Sequence, residues 1–264
     1  MNYSDMRGLL SEGETVIFIP MKIGVYGLGR FGSFWAGCLQ KTGNEIICYS
    51  RSVHPLPSGV RRADEDEVLS SDILFFSVTI SAFESVLERV GGRIGENTIV
   101  CDTCSVKTYP SLWMDEHLPS SVYRIATHPM FGPDSGRNGL EGLPVVMCPP
   151  PVVDERYEKV KSLFVSMGLS VKEMSADEHD REAAFSQGVT HFIGRILSEM
   201  NLQPSEISTK GYKALLEIVE QTCNDPVSLF TDLQLYNPYT KDMRHSLRVA
   251  IENVGYTLEK GGKR

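Results

Sequence analysis

"KIGVYGLGRFG", residues 22–32, decides how the rest of the chain is read. A short apolar run ends at Gly27, and Gly27, Gly29 and Gly32 follow at the spacing G-x-G-x-x-G before a helix-like stretch at 31–41. The three glycines of such a turn serve three different ends. One allows the tight bend, one the close approach of a pyrophosphate, and one the close packing of helix on sheet. The helix start then offers free amides and a partial positive charge to phosphate. This strand-before, helix-after setting predicts a dinucleotide site on Gly27, Leu28, Gly29, Arg30, Phe31 and Gly32. Ser77 and Thr79, at the end of the later run "DILFFSV", complete the expected cofactor wall.

Further apolar runs follow: "EIICYS", "DILFFSV", "NTIVCD", "VYRIAT", "PVVMC" and "LSVKEM". Helix-like stretches at 80–90, 105–117 and 154–167 separate most of them. Continuously apolar strands alternating with helices predict a parallel sheet covered on both faces. After Met174 the strands stop. Residues 177–200 read as one long helix, and 211–223, 226–237 and 243–260 as three more. Pro204, Pro226 and Pro238 mark their ends. The expected fold class is α/β: a Rossmann-like doubly wound parallel sheet over 21–175, then an all-α domain over 176–264. Residues 1–20 are expected to be an extension, since "MKIGVYG" from Met21 would itself make a sensible start.

The composition narrows the function classes. At 41% hydrophobic and 23% charged, the 264 residues have an ordinary globular balance. A net charge of −8 disfavours nucleic acid and anionic membrane as partners. No apolar run approaches the roughly 20 residues of a membrane span. The N-terminus lacks a secretory pattern. Six cysteines in a chain this size read as reduced thiols, and a cytoplasmic location is expected. Cys101 and Cys104 form a C-x-x-C, but no second pair exists to complete a metal site.

The end of the second strand run chooses between cofactors. NAD-binding folds place an acid there to accept from the ribose hydroxyls. Here stand Ser50, Arg51 and Ser52. A guanidinium and two hydroxyls suit a 2′-phosphate, so NADP is expected in preference to NAD. Arg30 could reach the same region.

"TIVCDTCSVK" and "VYRIATHPMFGP" run off neighbouring strands. Ligands in open α/β sheets bind outside the carboxyl ends of the strands. Ser105 is expected there as a helix N-cap, with Lys107 projecting from the first turn. Pro129 restricts the backbone of His128. A restrained histidine at such a place can accept a proton from an alcohol while hydride leaves its carbon.

These segments together resemble the prephenate/arogenate dehydrogenase family of tyrosine biosynthesis. The resemblance rests on "GVYGLGRFG", "DTCSVK", "THPMFGPDSG", "EHDREAAFSQGVTHFIGRIL" and "STKGYKALLEIVE". The wording "HPMFGPDSGRNG", with "ISTKGY" later, is nearest to the plant-type, arogenate-directed branch. The resemblance implies NADP-dependent oxidative decarboxylation of a cyclohexadienyl acid, without a metal. It implies His128 as the catalytic histidine, Ser105 as its helper, and His191 as a substrate-binding histidine.

An arginine that many bacterial members use for the side-chain carboxylate has no match here, leaving Lys210, Lys213 or Arg137 as substitutes. An acid would favour the ammonium of arogenate over the keto group of prephenate, and Glu178 and Asp180 are the expected ones. His179 and His191 lie about 120° apart on a regular helix, so only His191 is assigned to the site. The alternatives are an enzyme of the β-hydroxyacid dehydrogenase or imine reductase type, or a non-catalytic NADP-sensing protein. The former usually carry a lysine on the first helix of the second domain, and none occurs between Ala176 and Met200. A helical domain this small is expected to complete its core in a homodimer.

Overall fold

A computed structural model describes residues 20–261. The extension expected at 1–20 lies outside the described residues apart from Pro20. Eight strands form one sheet in the order β3-β2-β1-β4-β5-β6-β7-β8. They are β1 (Lys22–Tyr26), β2 (Glu45–Tyr49), β3 (Arg61–Arg62), β4 (Ile73–Phe76), β5 (Ile99–Asp102), β6 (Tyr123–Pro129), β7 (Pro144–Cys148) and β8 (Ser170–Glu173). Helices α1 (Arg30–Gln40), α2 (Glu65–Leu69), α3 (Ile80–Val90), α4 (Thr108–His117) and α5 (Glu155–Ser166) cover it.

Phe75 and Phe76 show why the strands read as unbroken apolar runs. Neighbours on a strand point to opposite faces. Phe75 packs against Trp35 and Phe164 on one face, and Phe76 against Phe83 on the other. Both layers are closed, so neither face tolerates polar side chains.

The sheet departs from the expectation in two places. β7 runs antiparallel to β6, pairing Val146 with His128 and Val145 with Pro129. A fully buried antiparallel strand is as apolar as a parallel one, so composition hides its direction. β3 was not expected at all: two exposed arginines on a sheet edge carry no apolar signal.

The last strand ends at Glu173, and every later element is helical. α6 (Ala176–Ala183), a π-helical turn (Ala184–Gly188) and α7 (Val189–Glu199) form one continuous rod. α8 (Lys210–Cys223), α9 (Val227–Tyr236) and α10 (Thr240–Glu259) follow. α7 and α8 approach closely because position 194 is glycine: a Cβ there would lie 2.0 Å from Thr222 Oγ1.

Two carboxylates dock the helices on the sheet layer. Asp180 accepts from the backbone amides of Lys107 and Thr108, at 2.7 and 2.9 Å. Asp232 accepts from the amide and hydroxyl of Ser81, at 3.0 and 2.9 Å. Each thereby places negative charge on the open amides at the start of α4 or α3.

Candidate active site

A cleft of about 390 Å³ opens beside the glycine turn, between the carboxyl ends of β4, β5 and β6 and the helical layer. Arg30, Phe31, Ser77, Thr79, Ser105 and His128 line it from the sheet side, Gln187, His191 and Asp232 from the helices. The expected proton acceptor and the expected cofactor turn therefore share one cavity.

The glycine turn has the shape a pyrophosphate needs. Gly27 sits at φ +103°, where a side chain is strained, and a Cβ would lie 2.6 Å from the Ser77 carbonyl. A Cβ at Gly32 would lie 2.0 Å from the Gly27 carbonyl, so α1 rests directly on the turn. A Cβ at Gly29 would meet nothing within 4 Å. That position faces open space, and no side chain caps the start of α1. The residues thus fit a dinucleotide phosphate. Leu28 differs from the expectation: its side chain is buried in the core, so only its backbone could face a ligand.

Beyond β2, Ser50, Arg51 and Ser52 stand clear of the cleft, Arg51 and Ser52 exposed, with no side-chain hydrogen bond among the described residues. Arg30 does not reach toward them. Its guanidinium spans the cleft mouth to Asp134 and Asp225, both at 2.6 Å.

His128 is held from behind. Its Nδ1 lies 2.8 Å from His179 Nε2, and His179 Nδ1 lies 2.8 Å from Asp180 Oδ1. All three side chains are buried. Burial pushes the His128 imidazole well below the usual histidine value, and positive charge on His179, Lys107 or His191 would push it further. Both influences favour the uncharged ring. Burial alone would raise the Asp180 carboxyl, but the bonds from His179 and Thr108 hold it below its usual range. Burial lowers His191 too; Asp225 opposes that shift and Arg195 reinforces it.

Among the described residues, three buried polar atoms of the cleft have no partner: Ser105 Oγ, Gln187 Oε1 and His191 Nδ1. Such atoms are rare in folded proteins because each costs about 1–3 kcal/mol unless something bonds it. Their convergence on one cavity marks a ligand site.

Several expected roles do not survive the geometry. Ser105 is not the N-cap of α4, whose first residue is Thr108; it lines the cleft, with its buried hydroxyl unpartnered. Lys107 is fully buried. Its ammonium donates to Asp102 and to the Thr127 carbonyl, tying β5 to β6, and does not reach the cleft. Asp180 is spent on His179 and the two α4 amides. Glu178 closes a capping box with Ser175 at the exposed start of α6. Lys210 and Lys213 lie exposed on α8, away from the cleft. Arg137 lines a different groove, along α1 with Phe34 and Lys41. Among the described residues, Arg30 is the one lysine or arginine of the cleft. Cys101 and Cys104 are buried and form no disulfide, and burial raises both thiols well above their ordinary value.

His179 was missed for one reason. The π turn takes in one residue more than an α-turn, which advances the following helix by one position. The twelve residues from His179 to His191 then count as about eleven, and the angle between the side chains falls from about 120° to about 20°. Both histidines reach the site. Ser186 and Gln187 of this turn, with Thr190 at the start of α7, also line the cleft. No propensity signal announces a π turn, although its association with functional sites is general.

A buried histidine in a cleft beside a glycine-turn nucleotide site is the arrangement of an NAD(P)-dependent oxidoreductase. Comparison with known proteins carries this further. Residues 36–173 match the family described as "Prephenate dehydrogenase, nucleotide-binding domain", and 196–263 match "TYRAAT1-like, C-terminal domain". The chain belongs to the prephenate dehydrogenase family. It is 37% identical to arogenate dehydrogenase 2, chloroplastic, of Arabidopsis thaliana, over 89% of this chain and 69% of that protein. It is 34% identical to arogenate dehydrogenase 1, chloroplastic, of the same plant, over 95% of this chain and 40% of that longer protein. The crystal structure of prephenate dehydrogenase from A. aeolicus, in complex with hydroxyphenyl propionate and NAD+, shares the fold at a TM-score of 0.72 and 18% identity, covering 93% of each chain.

Proposed function

We propose that this chain catalyses the NADP-dependent oxidative decarboxylation of arogenate to tyrosine, with prephenate as the competing substrate. The observation that carries the reading is the meeting of His128 with three unpartnered polar atoms in one cleft beside the glycine turn. His128 accepts the proton of the ring 4-hydroxyl, and Ser105 bonds the same oxygen. The bound nicotinamide supplies the acceptor for the hydride that leaves the ring carbon. The ring carboxylate then departs as CO2, its bonding electrons aromatise the ring, and the proton held by His128 returns to the phenolic oxygen. His191 and Gln187 offer a donor and an acceptor to the remaining polar groups of the substrate.

The charge of the cleft favours arogenate. One cation, Arg30, faces three acids, Asp134, Asp225 and Asp232, a balance of −2. Prephenate brings two carboxylates and no cation, whereas arogenate adds an ammonium that these acids can pair with. The relatives named arogenate dehydrogenase support the same choice. Arg51, exposed beyond β2 where an acid would select NAD, supports NADP. A homodimer completes the reading: α10 leaves Ile251, Val254, Tyr256 and Leu258 exposed, and a second copy would cover them.

The test is NADPH formation measured with arogenate and with prephenate, for the wild type and for His128→Asn. The expected result is a higher kcat/KM on arogenate. His128→Asn should lose about 10³-fold or more in kcat, with cofactor binding kept. Unchanged turnover in that variant would remove His128 from its role.

A further inference from the structure

The row His128–His179–Asp180 has a direction built into it. Asp180 already accepts from two backbone amides, and its ionised carboxylate can only accept. His179 must therefore carry its proton on Nδ1 to bond Asp180 Oδ1 at 2.8 Å. That leaves His179 Nε2 as a bare acceptor. Across the next 2.8 Å, His128 Nδ1 must then be the donor. Its Nε2 is left without a proton, and it makes no hydrogen bond among the described residues. Each tautomer is dictated by the one behind it, starting from the amides of α4.

We propose that His179 and Asp180 are positioning residues that lock His128 in the tautomer whose bare Nε2 faces the cleft, and that they stabilise the imidazolium formed when Nε2 takes the substrate proton. This rests on the proton-accepting role given to His128 above. The groups facing the row are His191, Lys107 and Asp102. Lys107 and Asp102 neutralise each other across β5 and β6. Asp180 is therefore the one uncompensated negative charge in contact with the row. The surroundings add rigidity: Asn237 Nδ2 donates to the Asp180 carbonyl at 2.8 Å, and the His179 amide donates to the Ser175 carbonyl at 3.0 Å. A charged partner behind a histidine fixes both its orientation and its tautomer, and losing the charge while keeping the shape presents the wrong nitrogen.

Asp180→Asn makes that exchange. With its NH2 at the place of Oδ1, donating to His179 Nδ1, the amide oxygen keeps the Thr108 amide and gives up the Lys107 amide, which shares Oδ1 with His179. His179 then carries its proton on Nε2, His128 must accept on Nδ1, and His128 Nε2 becomes protonated and useless as a base.

The experiment is nitrogen NMR of ring-labelled histidine in the full chain at neutral pH, with His128 assigned by its loss in His128→Asn. The wild type should show a protonated Nδ1 and a bare Nε2 at His128, and Asp180→Asn should show the reverse. In turnover, Asp180→Asn should lower kcat by about 10²-fold to 10⁴-fold while the cofactor KM changes by less than about threefold. A purely structural role would move neither the tautomer nor kcat without KM. The wild-type tautomer is read without Asp180→Asn, so a failure of that variant to fold leaves the proposal testable. A wild type protonated on His128 Nε2 overturns it, as does an Asp180→Asn protein with unchanged spectrum and kcat. The expected wild-type tautomer in a protein that turns over neither arogenate nor prephenate would uphold the relay and refute the functional reading.

Discussion

The cleft has two walls that were built by different kinds of constraint. The glycine wall, residues 27–32, is steric and local. Gly27 bends at a positive φ, Gly32 lets a helix sit on a carbonyl, and Gly29 leaves a gap. Each requirement is met by one residue type and can be read one position at a time. The helical wall, residues 176–199, is a matter of phase. His179 and His191 come to one side of the rod because the π turn at 184–188 shifts everything after it. Identity at one position can be legible where the angle between two positions is not.

Deleting one residue of the π turn is the strongest way to break that contrast. Removing Ser186 would let 184–188 relax to a plain α-turn and rotate α7 by about 100° relative to α6. Either His191 leaves the cleft or His179 leaves His128. The expected outcome is a loss of about 10³-fold or more in turnover, of the size seen when a catalytic unit is dismantled. Cofactor affinity, measured by fluorescence titration with NADPH, should change by less than about threefold, since the glycine wall is untouched. Retained turnover would show that the two histidines need not share a face.

The glycine wall can be separated into its own parts. Gly32→Ala drives a Cβ into the Gly27 backbone, so it should destabilise the fold by about 1–3 kcal/mol and lower Tm. Gly29→Ala meets nothing, and its φ of −65° suits alanine. Its stability should not change, yet NADPH affinity should fall by about tenfold or more because the methyl occupies the approach of the pyrophosphate. Unchanged NADPH affinity in Gly29→Ala would mean that the gap at Gly29 is not where the phosphate lies.

The same division explains what the sequence disclosed of the whole molecule. The apolar runs located seven of the eight strands, and Pro226 and Pro238 marked the two ends of α9, because burial and backbone geometry act on single residues; Pro204 falls inside the loop between α7 and α8. The fates of Lys107, Glu178 and Asp180 were hidden. A lysine in a first helical turn normally projects into water, but Lys107 has Asp102 and the Thr127 carbonyl within reach once β5 and β6 are side by side. Asp180 finds its partners 72 and 73 residues away. Whether a charged residue is a ligand contact or a buried brace depends on partners that only the fold assembles. The placing of His128, Ser105 and His191 at the cleft was legible because a motif or a strand end marked each.

Arg51 lies at the far end of the glycine wall and carries the smallest expected effect. Its guanidinium is exposed and makes no bond among the described residues, so nothing in the fold depends on it. A charge-assisted bond to phosphate contributes about 1.5–3 kcal/mol when sheltered, and solvent screening at this position brings it toward the lower end. Arg51→Ala should therefore raise the Michaelis constant for NADP by about tenfold, equivalent to about 1.4 kcal/mol. The constant for NAD, which lacks the 2′-phosphate, should move by less than about twofold. Added salt should weaken NADP binding by the wild type more than by the variant, because the lost contact is the screened one. If both cofactors weaken together, Arg51 supports the loop rather than reading the phosphate, and selection between them lies elsewhere on the wall.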